Sequence, residues 1–258
     1  MPSGITRRKA IAAGVASTGM LWGAFQPREA HALPSLAPDT SLVRDLKPGN
    51  TPIRMGAGFE ELKGKSLTES VIAMKKKGYS GFVTGADRWL AATDSEIREL
   101  RTALKEHDAV FFEVAGYKSI IRPDVARRTK DLVLLAKCIE AAERIGCPMV
   151  GTCTGSCDPN SYINVHPENW SEKTWKLTVE GVKQVLRDTA GMKAAIGIEA
   201  QITTNIGRPK DHKRLMDDVG NKRCAVNLDP VNMMSLDTYY HSTRSEEHTS
   251  ELQSRITI

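Results

Sequence analysis

The sequence predicts an α/β protein, a (β/α)8 TIM barrel carried through about six of its eight βα units. Three observations predict it. Short apolar runs alternate along the chain with amphipathic stretches of helical period, the pattern of a parallel sheet wrapped by helices. Two of those runs, Ala194-Ala195-Ile196-Gly197-Ile198-Glu199 and Cys224-Ala225-Val226-Asn227-Leu228-Asp229, close on a carboxylate, and barrels of this kind carry their chemistry at the C-terminal ends of strands. The chain has 258 residues, close to the length of about 250 typical of a closed barrel, but both of its ends read as something other than fold.

At the N-terminus, Thr6-Arg7-Arg8-Lys9 precedes the weakly apolar stretch from Ala12 to Phe25, and Ala30-His31-Ala32 places small residues where a signal peptidase reads. Residues 1–32 are therefore expected to be a twin-arginine signal, engaging the twin-arginine export machinery and sending the protein to a periplasmic or other extracytoplasmic location. The apolar run is too short and too rich in Gly and Ala to be a stable membrane anchor. At the other end, Arg244-Ser245-Glu246-Glu247-His248-Thr249-Ser250-Glu251-Leu252-Gln253-Ser254 resembles the conceptual translation of a sequencing adapter. Residues 244–258 are thus expected to be an artefact, and the barrel body to span 33–243. That length falls short of a closed barrel by about two βα units, so the chain as written is expected to show little or no turnover.

Within the body, Leu33 to Asn50 is a Pro/Ser/Asp-rich lead-in. Ile53 to Gly58 reads as the first strand, followed by a helix with Leu67, Val71, Ile72 and Met74 inward and Gly78 as its stop. Gly81-Phe82-Val83-Thr84 is the second strand, and Asp94 is expected to cap a helix carrying Ile97, Leu100 and Leu104. Ala109 to Val114 forms the third strand. Pro123-Asp124 then opens a long helix that runs to Gly146. Pro148 to Thr152 is strand four, and its loop runs through Cys153-Thr154-Gly155-Ser156-Cys157 to His166. Ser171 caps the next helix, strand five ends at Glu199, a helix spans about Lys210 to Val219, and strand six ends at Asp229.

Composition narrows the classes of function. An apolar fraction of 40% with a mean hydropathy of −0.33 describes a globular chain. The net charge of +5 owes much to Arg7, Arg8, Lys9 and Arg28 in the expected signal, leaving too mild a body charge for a nucleic-acid partner. The five cysteines, Cys138, Cys147, Cys153, Cys157 and Cys224, show no repeated metal-ligand spacing. Cys153 and Cys157 can pair, bind metal or stand as loop thiols.

Strand-end acids on neighbouring strands stand about 4.8 Å apart, close enough for Glu199 and Asp229 to share one divalent cation. Oxygen ligands suit Mg²⁺ or Mn²⁺, and an added histidine shifts the preference toward Mn²⁺, Co²⁺ or Zn²⁺. Among other polar residues, Thr152, Thr154 and Ser156 are candidates to bind hydroxyls or phosphate, with turn chemistry as the alternative. His166 is a ligand candidate or a structural loop histidine. Trp89 either stacks on a sugar ring or packs within its loop, and Glu113 is a barrel-layer or buried-pair residue.

Ile196-Gly197-Ile198-Glu199 and Asn227-Leu228-Asp229-Pro230-Val231-Asn232, with Lys75-Lys76-Lys77-Gly78-Tyr79-Ser80-Gly81 and Ala141-Ala142-Glu143-Arg144-Ile145-Gly146 before them, resemble the sugar phosphate isomerase/epimerase family of xylose-isomerase-like barrels. The resemblance covers about Pro52 to Ser235. It implies that Glu199 both binds a metal and moves a proton, that Asp229 binds the same metal, and that a histidine and a second glutamate arrive from strands seven and eight. Asn232 stands where members often carry a substrate-contacting histidine; it can hydrogen-bond a hydroxyl but not shuttle protons.

The implied activity is a metal-dependent isomerase or epimerase acting on a small-molecule carbohydrate through an ene-diolate. A dehydratase or lyase on a polyol or keto-sugar uses the same site, and a carbohydrate-binding barrel without catalysis is the non-enzymatic alternative. An apurinic endonuclease on this fold needs a histidine-rich zinc cluster, and none of His107, His166, His212 or His241 falls at a strand end.

Overall fold

Among the described residues, six parallel strands form one sheet in the order in which they occur along the chain. They are β1 (Gly56–Gly58), β2 (Gly81–Gly85), β3 (Val110–Ala115), β4 (Met149–Thr152), β5 (Ala195–Glu199) and β6 (Cys224–Asn227). This computed structural model describes residues 54–235. The expected signal at 1–32, the whole lead-in from Leu33 to Asn50 and the tail at 244–258 lie outside the described residues.

Sequential strand order has a topological consequence. Parallel crossovers are right-handed, so when each one steps to the next strand in the same direction, every helix lands on the same face of the sheet. The helices among the described residues are α1 (Leu67–Lys76), the single turn α2 (Asp87–Leu90), α3 (Asp94–Glu106), α4 (Val125–Ile145), α5 (Glu172–Asp188) and α6 (Pro209–Val219). They pack in one continuous layer, α1 on α3, α3 on α4, α4 on α5 and α5 on α6. The other face is left to line an interior, which is barrel architecture rather than a doubly wound sheet.

Alternation along each strand divides the side chains between these two faces. Phe82, Phe111, Val150, Ile196, Ile198 and Cys224 join the core beneath the helices, with Leu100, Leu135, Ile139, Val182 and Leu215 from the helical side. Residues between them point inward. β3 breaks this rule once: Phe82 pairs with Phe111 but Val83 pairs with Glu113, so Phe112 is bulged. The bulge turns Phe112 and Glu113 both toward the interior, as the neighbours of each show: Phe112 lies against Gly56 and Gly81, and Glu113 against Gly151.

Helix starts follow local chemistry. Ser66 and Thr93 each form a reciprocal capping box, with Glu69 and Glu96 respectively. The cap of α3 is thus Thr93 rather than Asp94: a Thr-x-x-Glu spacing satisfies two backbone donors at once, and Asp94 becomes the first helical residue. Asp124 and Ser171 cap α4 and α5 as expected, and Gly146 ends α4 at φ 75°, a left-handed position suited to glycine.

Glu143 and Arg144, at the end of α4, brace the frame. Glu143 accepts the backbone N–H groups of Lys193 (2.8 Å) and Ala194 (3.1 Å) at the start of β5. Arg144 donates to the carbonyls of Trp89, Leu90 and Ala92 around the end of α2. No helix among the described residues is long and apolar enough to cross a membrane.

Candidate active site

Glu199 closes β5 on the interior face, opposite Ile196 and Ile198, and is 8% exposed. A buried carboxylate requires donors, and four side chains supply them. Oε1 accepts from Gln201 Nε2 (2.9 Å) and from Asn232 Nδ2. Oε2 accepts from the Tyr117 hydroxyl and from Asn227 Nδ2 (3.3 Å).

Asp229 reaches the same place by a different route from that expected. β6 ends at Asn227, so Asp229 stands in the following loop. There its Oδ1 accepts from Val231 N (3.0 Å) and Asn232 N (3.4 Å), opening the short 3₁₀ turn Val231–Met233. An Asx-type turn competes with strand pairing, and Pro230 has no N–H to continue the ladder. Asp229 Oδ2 accepts from Asn232 Nδ2 at 3.0 Å, the nitrogen that also donates to Glu199. Glu199, Asp229 and Asn232 therefore meet.

The strand-end position belongs to Asn227, which pairs with Glu199 across the ladder. Its Nδ2 lies 3.2 Å from Glu113 Oε2, 3.3 Å from Glu199 Oε2 and 3.4 Å from the Tyr117 hydroxyl. Glu113, also 8% exposed, reaches this point because β4 carries glycine where it passes: a Cβ at Gly151 would sit 2.4 Å from Glu113 Oε1. Burial, reinforced by the charge of Glu199, raises the pKa of Glu113 against the opposing hydrogen bonds from Asn227 and Tyr117. Burial and the bond to Glu199 push Tyr117 upward as well, so its hydroxyl keeps its proton and remains a donor.

Tyr117, Asn227 and Gln201 are not among the residues that the sequence pattern singles out. The available signal was weak: one amide inside the apolar run of β6, and polar residues just beyond the ends of β3 and β5.

Four other candidates stand apart from this cluster in their contacts. Thr152 is fully buried, its hydroxyl donating to the Cys153 carbonyl at 3.1 Å. Thr154 is fully buried too, and its carbonyl accepts from Ile120 and Ile121 in the loop after β3. His166 caps the turn Pro167–Trp170, Nδ1 accepting from Glu168 N at 3.2 Å, which is a structural role.

Trp89 offers no face to a sugar. Its ring is sealed between Phe59 and Phe111, at 6.1 and 5.6 Å, and Nε1 donates to Thr84 Oγ1. It lies on the helix-covered side of the sheet because α2 carries it back onto β2. Cys153 and Cys157 are buried free thiols, and burial raises the pKa of Cys153 to about 11.

The donor set fits a hard divalent cation in part. Glu199 and Asp229 turn carboxylate oxygens toward one point, marked by Asn232 Nδ2, and carboxylate oxygens suit Mg²⁺ and Mn²⁺. Among the described residues, no group of three or more His, Cys, Asp and Glu side chains is placed to enclose a metal ion. The two acids are a pair of ligands rather than a complete shell.

An interior-facing acid cluster at the C-terminal ends of sequentially ordered parallel strands defines an enzyme-like barrel. Residues 71–255 match the xylose isomerase-like TIM barrel family, and the chain belongs to it. No curated protein matches the sequence.

Among solved structures, the chain is similar to D-psicose 3-epimerase with D-tagatose from Clostridium cellulolyticum H10, with 16% identity, a TM-score of 0.55 and coverage of 75% of this chain and 69% of that one. It is also similar to the probable 3-DHS dehydratase involved in petrobactin synthesis from Bacillus anthracis, at 14% identity and TM-score 0.59 over 79% and 71% of the two chains. A third is a xylose isomerase-like TIM barrel protein from Mycobacterium smegmatis in complex with magnesium, at 20% identity and TM-score 0.50, covering 73% of this chain and 62% of that one. At these identities the likeness is one of fold.

Proposed function

We propose that this protein is a metal-dependent isomerase or epimerase of a sugar or sugar derivative, with Glu199 as its base. The observation that carries the reading is the convergence of Glu199 and Asp229 on one point at the mouth of the strands. Membership of the family and the epimerase among the similar folds support it.

The chemistry follows from the residues. Glu199 takes the proton from the carbon next to the substrate carbonyl, and the C–H electron pair forms the double bond of an ene-diolate as the carbonyl oxygen gains negative charge. A divalent cation, held by Glu199 and Asp229, would supply Lewis-acid stabilisation of that oxygen. The two amide hydrogens of Asn232 go to Glu199 and Asp229, which leaves its carbonyl oxygen to accept from a substrate hydroxyl, and its backbone N–H is fixed by Asp229. Return of the proton to the other face of the carbon gives an epimer; return at the neighbouring carbon gives an isomer.

The twin-arginine pattern at Arg7-Arg8 makes an exported, unphosphorylated carbohydrate the substrate we favour. Titration with Mn²⁺ tests the site: the protein binds the ion, and Glu199→Gln and Asp229→Asn each lose it. Unchanged binding in both variants would refute the reading. Product analysis with D-psicose and D-tagatose separates an epimer from the dehydrated product of a lyase, and sugar binding by a protein that takes up no divalent ion would favour a carbohydrate-binding barrel.

A further inference from the structure

Three features bring Glu113 into the barrel interior: the bulge at Phe112, the missing side chain at Gly151, and a second glycine, Gly197, beside Asn227. A Cβ at Gly197 would lie 3.4 Å from that of Asn227 and 2.3 Å from Met149 Sδ. Bulges and close-approach glycines weaken strands, so their coincidence around one buried acid asks for a reason.

Glu113 does not touch Glu199 through any hydrogen bond, which two acceptors cannot form while both are ionised. It touches the donors that do. Glu113 Oε2 accepts from Asn227 Nδ2, and Glu113 Oε1 lies 3.4 Å from the Tyr117 hydroxyl. Those two groups hold Glu199 Oε2.

We infer that Tyr117 is a positioning residue for Glu199, with Glu113 and Asn227 fixing Tyr117 in turn. This rests on the reading of Glu199 as base and metal ligand. Tyr117 and Asn227 hold Oε2, away from Asp229, while Gln201 and Asn232 hold Oε1, and the Asn232 amide that bonds Oε1 also bonds Asp229, so Oε1 is the oxygen on the Asp229 side. Oε1 is then the oxygen that meets the cation and the substrate. The arrangement has the logic of outer partners that orient a metal-binding group, whose removal costs about 10–100-fold in metal affinity or activity.

Titration with Mn²⁺ alone, alongside the electron paramagnetic resonance spectrum of the bound ion, tests this in three proteins. Tyr117→Phe keeps the ring and removes only the hydroxyl. It should weaken Mn²⁺ binding about 10-fold or more and alter the spectrum, with the melting temperature of the metal-free protein little changed. Affinity and spectrum equal to those of the unaltered protein, while Glu199→Gln fails to bind, would overturn the inference and leave the base assignment standing. Unaltered binding by Glu199→Gln would remove both. Should Tyr117→Phe not fold, Glu113→Gln takes its place under the same criteria, with a several-fold loss expected.

Discussion

Glu199 and Asp229 accept hydrogen bonds from a single nitrogen, Asn232 Nδ2. One acid comes from a strand end and the other from the loop after the next strand, so a two-residue displacement along the chain still delivers both carboxylates to one point. Asn232→Ala removes the amide that bridges them and should leave the two anions facing each other. We expect weaker binding of neutral sugars but undiminished or tighter binding of Mn²⁺, since like charges favour a bound cation. Parallel titrations with the ion and with D-psicose check this.

Trp89 is structural. Trp89→Ala empties an aromatic cluster with Phe59, Phe82 and Phe111 and should cost about 3–5 kcal/mol. Chemical denaturation measures the loss, and Mn²⁺ affinity of the folded fraction should not change.

The capping box of α3 makes stability depend on pH in a defined direction. Hydrogen bonds from the Thr93 backbone and hydroxyl, with the Arg88 guanidinium beside them, hold Glu96 at a pKa of about 2, below the ordinary 4.5. A depressed folded-state pKa means that the contribution is complete above the ordinary value and is lost as pH falls toward 2. The melting-temperature difference between the unaltered protein and Glu96→Gln should therefore be constant above about pH 5, shrink as the pH falls from there, and vanish only below about pH 2. Thr93→Ala should cost about 1 kcal/mol at neutral pH.

Much of the fold was legible because its signals are local. The alternation of apolar runs and helical faces located all six strands and five long helices, and Asp124, Ser171 and Gly146 mark their helix ends by side-chain and backbone chemistry. Glu199 was legible as an acid ending an apolar strand. The end of β6 was not, because Asp229 and Pro230 look like the close of a strand while the Asx turn they form is settled only by pairing with β5.

Tyr117 and Asn227 escaped notice for a related reason. Their roles depend on the bulge at Phe112 and on the space over Gly151, which are properties of register across three strands rather than of any one segment. Trp89 was ambiguous from the sequence, since a loop aromatic reads alike whether its loop turns outward or folds back on the sheet.

Gly151→Ala should act on the same network from outside it. The new methyl would lie 2.4 Å from Glu113 Oε1 and 3.0 Å from Asn227 Nδ2, and overpacking of this kind costs about 1–3 kcal/mol. Combining it with Glu113→Ala should recover part of that loss, because the clashing atoms are gone. Additive losses in denaturation would show that Glu113 does not occupy this space.

The most direct test of the account is the exchange of carbon-bound hydrogen. Incubation of D-psicose or D-tagatose with the protein and Mn²⁺ in D₂O, followed by proton NMR, reads the first proton transfer without requiring a complete epimerisation. Deuterium should enter at the carbon next to the carbonyl, and Glu199→Gln should lower that rate by about 100-fold or more, the scale of a positioned general base. Exchange at an equal rate in Glu199→Gln would contradict the central claim that Glu199 is the base.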